Sequence, residues 1–139
     1  MRDWGHARDF VEMAWSILQQ EAPYDFVIAT GKQHSVREFV TLAAEALGIQ
    51  LRWEGVGLQE KGIVQNHVGK TQPGDVIVKV DPRLLRPAEV ETLLGDPSKA
   101  FRKLGWRPKI SFEQLVNEMA LKDYQLAQEE CMYKQLQER

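Results

Sequence analysis

A single cysteine, Cys131, among 139 residues cannot staple the fold through a disulfide, and a reducing cytoplasmic compartment is the one expected. There is no long apolar run and no signal-peptide pattern, so nothing is expected to span or anchor in a membrane. Neither charge is in excess: 18 Lys and Arg stand against 20 Asp and Glu, for a net charge of −2. A general nucleic-acid binder would show a basic stripe, and none is present. The three histidines, His6, His34 and His67, are scattered. Their spacing builds neither a Ser-His-Asp set nor a zinc site. Internal repeats and low-complexity segments are absent. No G-x-G-x-x-G or G-x-x-G-x-x-G occurs, and that turn is what meets a dinucleotide pyrophosphate.

What remains is the size of one ordinary domain, with 43% hydrophobic residues, enough to bury a core. Val11, Ala14, Trp15 and Leu18 recur at spacings of three and four, which predicts a helix from His6 to Gln20 with this stripe buried. His6 is expected to cap that helix, since no second base or metal ligand is spaced to match it. The run Phe26-Val-Ile-Ala29 predicts a buried strand. Ser35 with Glu38 forms a capping box, and Val36, Phe39, Val40, Ala43, Ala44 and Leu47 continue it as a helix up to Gly48. Leu51-Arg-Trp53 alternates as a strand does. Residues 55–74 are expected to project as a hairpin elaboration, with Pro73-Gly74-Asp75 turning into a strand over Val76–Val80; His67 and Lys70 there are expected to be exposed.

Toward the C-terminus, Asp96-Pro97 opens a short helix with Ala100, Phe101 and Leu104 inward and Gly105 as its stop. Ser111 and Gln114 make a second capping box, for a last helix with Leu115, Met119 and Leu126 on its apolar side. Beyond Tyr124 the chain is rich in Gln, Glu and Lys, and either a fraying tail or a partner-binding helix is expected. Of the four tryptophans, Trp15 and Trp106 are assigned to packing, which weakens any nucleic-acid stacking role.

One stretch does not fit a packing role, Asp81-Pro-Arg-Leu-Leu-Arg-Pro-Ala-Glu-Val-Glu91. Pro82 and Pro87 restrict their own φ and bias the preceding residues toward extended geometry. Arg83 and Arg86 carry planar forks suited to diphosphate or carboxylate oxygens, and Glu89 can accept from a hydroxyl or an N–H group. The same composition also describes a solvated surface loop.

Its surroundings bear on that choice. Arg2-Asp-Trp-Gly-His-Ala7, Phe26-Val-Ile-Ala-Thr-Gly31, Ser35-Val-Arg-Glu-Phe39, Pro73-Gly-Asp-Val76, Val80-Asp-Pro82, Arg86-Pro-Ala-Glu-Val-Glu-Thr-Leu-Leu-Gly-Asp96 and Lys103-Leu-Gly-Trp-Arg-Pro108 occur in this order across most of the chain. Together they resemble the C-terminal part of the GDP-mannose 4,6-dehydratase family, a branch of the extended short-chain dehydrogenases/reductases. The resemblance implies an α/β fold: a small substrate-binding lobe of helices with a few short strands of mixed direction. The lobe would span residues 1–139, family-like over 1–124, with a helical tail over 125–139.

The resemblance also implies a chemistry. The family takes a hydride from carbon 4 of GDP-mannose, eliminates water across carbons 5 and 6 and returns the hydride to carbon 6, giving GDP-4-keto-6-deoxymannose with NADP unchanged overall. Arg2, Arg86 and Glu89 fall on positions that contact the sugar nucleotide, so GDP-mannose or another GDP-sugar is the implied ligand. One departure is Leu84-Leu85, where many relatives carry aromatics. The family also needs a Tyr-x-x-x-Lys pair, and neither Tyr24, Tyr124 nor Tyr133 has a lysine four residues on. The dinucleotide-binding half is therefore expected to be missing, with no catalytic residue, no NADP site and no metal site in this chain. The alternative expectation is a non-catalytic binding or assembly module that oligomerises through the face such a half would cover.

Overall fold

The computed structural model describes residues 1–84, 90 and 92–137. These fall into two compact units, one of Met1–Phe39 with Val90–Val116, the other of Val40–Glu89 with Asn117–Arg139. The described residues form helices α1 (Ala7–Leu18), α2 (Val36–Ala46), α3 (Ser98–Leu104) and α4 (Phe112–Gln137), and strands β1 (Leu51–Glu54), β2 (Lys61–Val64) and β3 (Val76–Lys79). The expected α/β class, helices with a few short strands, is what is found.

In the first unit, α1 begins where its cap allows. His6 lies just outside the helix, and its Nδ1 accepts the Arg8 amide at 3.0 Å, which satisfies one of the donors a helix start leaves open. The core is Met13, Ala100 and Trp106, with Phe10, Ile17, Phe26, Ile28 and Leu104 packed around them. This corrects the expected stripe: Val11, Trp15 and Leu18 are 68, 64 and 80% exposed. α1 carries two apolar stripes, 10/13/17 and 11/14/15/18, and both satisfy helical spacing. Periodicity cannot choose between them. The choice is made by Ala100 and Trp106, against which Met13 packs.

Phe26–Ala29 is also corrected. It packs as a strand would, with Phe26 and Ile28 toward the core, Ala29 buried and Val27 outward, but it is not a β-strand. Apolar alternation reports burial, whereas a strand also needs a neighbour with which to exchange hydrogen bonds. Gly95 approaches this segment so closely that a Cβ there would lie 2.3 Å from the Ala29 Cβ.

α3 starts with the Asp96 side chain accepting the Ser98 amide at 2.9 Å and stops at Gly105, which adopts φ 66°. Ala100 is fully buried and Leu104 half-buried, but Phe101, expected inward, is 43% exposed beneath the Arg107 guanidinium at 3.9 Å. One residue is 100° around a helix, so Phe101 cannot share the Ala100 face.

The second unit holds a three-stranded sheet in the order β1-β2-β3, antiparallel throughout. The expected mixed direction is thereby corrected. Its connections, residues 55–60 and 65–75, are too short for a parallel crossover, which takes a dozen residues or more. The register pairs Trp53 with Gly62 and Gly62 with Val78, with an irregularity between Gly62 and Ile63. Gly62, Ile63 and Val64 are buried. The 55–74 region therefore supplies the central strand and is no projecting elaboration, although Pro73-Gly74-Asp75 turns as expected, with the Gly74 amide donating to Val64 O at 2.9 Å. His67 and Lys70 are exposed, as expected.

The Trp53 indole donates to Thr41 Oγ1 at 3.0 Å, tying β1 to α2. Asn66 holds the turn between them, accepting from the Gln50 amide and donating to Gly48 O, both at 2.8 Å. α4 runs unbroken to Gln137. Its buried residues are Phe112 and Val116, while Met119 and Leu126, expected on the apolar side, are 44 and 47% exposed.

Candidate functional site

The described part of the candidate site belongs to the first unit and starts from Arg2. The Arg2 amide donates to His34 O at 3.0 Å and the His34 amide returns the bond to Arg2 O at 2.9 Å, a two-residue antiparallel bridge. With its backbone held in this way, the Arg2 guanidinium reaches Val90 and donates to its carbonyl at 2.9 Å. Val90 follows Glu89 directly in the chain.

Asp3 holds the loop that makes this bridge. Its Oδ1 accepts from the Thr30 amide at 2.9 Å and from the Thr30 hydroxyl, and its Oδ2 accepts from the Gly31 amide at 2.9 Å. Three donors on one carboxylate make strong, charge-assisted bonds. Gly31 turns at φ 75°, a left-handed conformation that costs glycine little. The loop then continues to Gln33, whose side-chain amide donates to Thr92 Oγ1, and to His34. Arg2, Asp3, Trp4 and Phe10 line a largely apolar cleft of about 370 Å³ with Val27–Ala29 and Leu93–Gly95.

On the other side of the loop, the His34 ring stacks on Phe112 at 3.8 Å and 8°, and Trp4 meets Phe39 edge-on at 4.7 Å. Two capped helix starts lie here. Glu38 accepts the Ser35 amide at 2.6 Å while Ser35 Oγ accepts the Glu38 amide. Ser35, backbone first and hydroxyl second, holds the Glu38 carboxyl below its ordinary range. Glu113 is likewise lowered, by its own backbone amide and the Ser111 hydroxyl, with Lys32 and His34 adding to the effect. The second capping box is formed as expected, Ser111 N to Gln114 Oε1 at 2.8 Å and Gln114 N to Ser111 Oγ at 3.2 Å.

Of the three residues predicted to bind substrate, only Arg2 is described. Arg86 and Glu89 lie outside the described residues. Arg83, the other fork of that stretch, is taken up locally: its Nε and Nη2 donate to the Asp81 carboxylate at 3.1 and 2.7 Å, which lowers the Asp81 pKa. The pair is solvent-exposed and therefore weak. Spacing missed Asp3, Thr30, Gln33 and Thr92. Asp3 and Thr30 lay inside motifs already singled out, yet their partnership spans 27 residues and leaves no local signal. Among the described residues, no group of three or more His, Cys, Asp or Glu could hold a metal ion, and no helix is long and apolar enough to cross a membrane. The arrangement offers a fixed cation and hydrogen-bonding groups beside an apolar cleft, means to bind and orient an anion.

Comparison with known proteins gives a consistent result. The family profile described as GDP-mannose 4,6 dehydratase matches residues 1–119. A GDP-mannose 4,6-dehydratase of Vibrio cholerae is 54% identical over 138 residues, covering 96% of this chain and 37% of the relative. GDP-mannose 4,6 dehydratase 2 of Caenorhabditis elegans is 55% identical over 132 residues, 95% of this chain and 33% of its own length. The human GDP-mannose 4,6 dehydratase is 47% identical over 126 residues, 90% of this chain and 32% of its own. The chain thus spans about a third of the length of the curated relatives it matches.

Proposed function

The chain belongs to the GDP-mannose 4,6 dehydratase family, and from that membership we propose that it forms the portion that binds the sugar nucleotide in the conversion of GDP-mannose to GDP-4-keto-6-deoxymannose. Arg2 and Arg86 neutralise the diphosphate, and Glu89 accepts from donors on the GDP portion. Residues 1–124 make up this lobe and 125–139 its tail, helical as far as Gln137. The observation that supports the reading is the hydrogen bond of the Arg2 guanidinium to the Val90 carbonyl at 2.9 Å, Val90 being the residue that follows Glu89 in the sequence.

The family reaction depends on NADP. This sequence has no glycine-rich phosphate turn and no Tyr-x-x-x-Lys pair, so its residues do not fit that cofactor and no step of hydride transfer is assigned to them. Their work is positioning: holding the nucleotide so that the hexose is presented in one orientation. Calorimetric titration tests this. GDP-mannose should bind more tightly than GDP, and GDP more tightly than ADP, with Arg2→Ala and Arg86→Ala each weakening GDP-mannose by about tenfold or more, as loss of one charge-assisted contact predicts. Absence of binding at millimolar GDP-mannose contradicts it.

A second reading, assembly with a further copy of the chain, is supported by the apolar face of Val11, Trp15 and Leu18 on α1. Such a face is the kind that partners cover. Sedimentation of the wild type and Trp15→Glu decides it: a dimer lost in the variant supports assembly, and a monomer in both excludes it.

A further inference from the structure

Arg2 is held for ligand contact by groups that themselves have no need to touch a ligand. Its backbone position rests on the bridge to His34, and His34 ends a loop whose fold is organised by one carboxylate. Asp3 collects the Thr30 amide, the Thr30 hydroxyl and the Gly31 amide. The same hydroxyl accepts the Lys32 amide at 3.2 Å, so the order imposed by Asp3 extends two residues toward His34. Along the same loop, Gln33 bonds to Thr92, two residues beyond the carbonyl that Arg2 engages. The loop therefore ties both the backbone of the arginine and the segment its guanidinium touches.

We propose that Asp3 is a positioning residue that acts on nucleotide-diphosphate binding through Arg2, by holding the Thr30–His34 loop against which Arg2 is paired. This rests on the reading of Arg2 as a diphosphate contact. An uncommitted carboxylate one residue from that contact would repel an anion. With its oxygens committed to three donors, the Asp3 carboxylate stabilises the loop.

A double-mutant cycle on the full 139-residue chain distinguishes action through Arg2 from a general structural role. GDP-mannose affinity is measured by calorimetry for the wild type, Asp3→Asn, Arg2→Ala and the double variant, with thermal midpoints recorded beside each. Asp3→Asn alters the acceptor set at Gly31 and should weaken binding about tenfold in the wild-type background, within the coupling range for residues of one network. In the Arg2→Ala background it should weaken binding less than about twofold, because the group it positions is gone. Thr30→Val, which exchanges the hydroxyl for a methyl group, gives a milder arm should Asp3→Asn fail to fold, with the same loss of effect expected once Arg2 is alanine. Equal weakening in both backgrounds, or no weakening by either loop variant, overturns the positioning role and leaves Arg2 as a ligand contact. No wild-type binding at millimolar GDP-mannose overturns the ligand reading and this inference together.

Discussion

Asp9 is an ionisable residue only 2% exposed, and its role is local: Oδ2 accepts the amides of Lys109 and Ile110, each at 2.9 Å. This pins the segment after Trp106 to α1, a hundred residues earlier. Replacing it with alanine leaves two amide donors without their partner, at roughly 1–3 kcal/mol each. Urea denaturation of Asp9→Ala should therefore show a loss of about 2–6 kcal/mol. Glu38 makes a pH-dependent contribution. Its folded pKa is depressed by Ser35, so the stability it lends is present above the ordinary glutamate pKa and is lost as pH falls through the folded value. Glutamine keeps an acceptor for the Ser35 amide and cannot titrate. The thermal midpoint of Glu38→Gln should fall less steeply than that of the wild type between neutral pH and about pH 3. Glu38 was legible because capping is local, with its serine three residues away. The buried role of Asp9 was not, since an aspartate in the first turn of a helix also suits solvent and the helix dipole.

Helix termini were the best-read elements for the same reason. Both Ser35 and Ser111 cap as their spacing with Glu38 and Gln114 requires, and Gly105 closes α3 in a left-handed conformation. Nothing lies within 4 Å of where a Cβ would stand at Gly105. Gly105→Ala should thus be a nearly pure backbone effect of about 1 kcal/mol, visible as a lower unfolding midpoint without a change in the denaturant slope. The sheet was read less well. β2 is central, yet Lys61-Gly-Ile-Val64 is four residues long with a glycine inside it, and periodicity over so short a run carries little. α4 posed a different difficulty. Its mixed composition past Tyr124 allowed a fraying tail, but the helix continues to Gln137, where nearly every residue is exposed. Little packing is lost if the chain ends after Gln128, so that truncation should reduce helical circular dichroism while shifting the thermal midpoint by no more than about 2 °C.

At the scale of the molecule, family motifs identified what burial patterns could not. Arg2 reads from composition as an arginine of no special note; what singles it out is the Arg-Asp-Trp-Gly segment and the hydrogen bond of its guanidinium to the Val90 carbonyl. Which face of α1 meets the core was not readable, because Phe10, Met13 and Ile17 compete with Val11, Trp15 and Leu18 on equal terms until α3 and Trp106 are in place. The account stands or falls on where a GDP-sugar binds. Titration of the isotopically labelled chain with GDP-mannose, followed by amide chemical shifts with ADP as the control, locates that binding directly. Saturable shifts concentrated at Arg2–Trp4, Thr30–His34 and residues 86–95, and much weaker with ADP, are the predicted result. Shifts centred instead on β1, β2 and β3, or none at millimolar ligand, would contradict it.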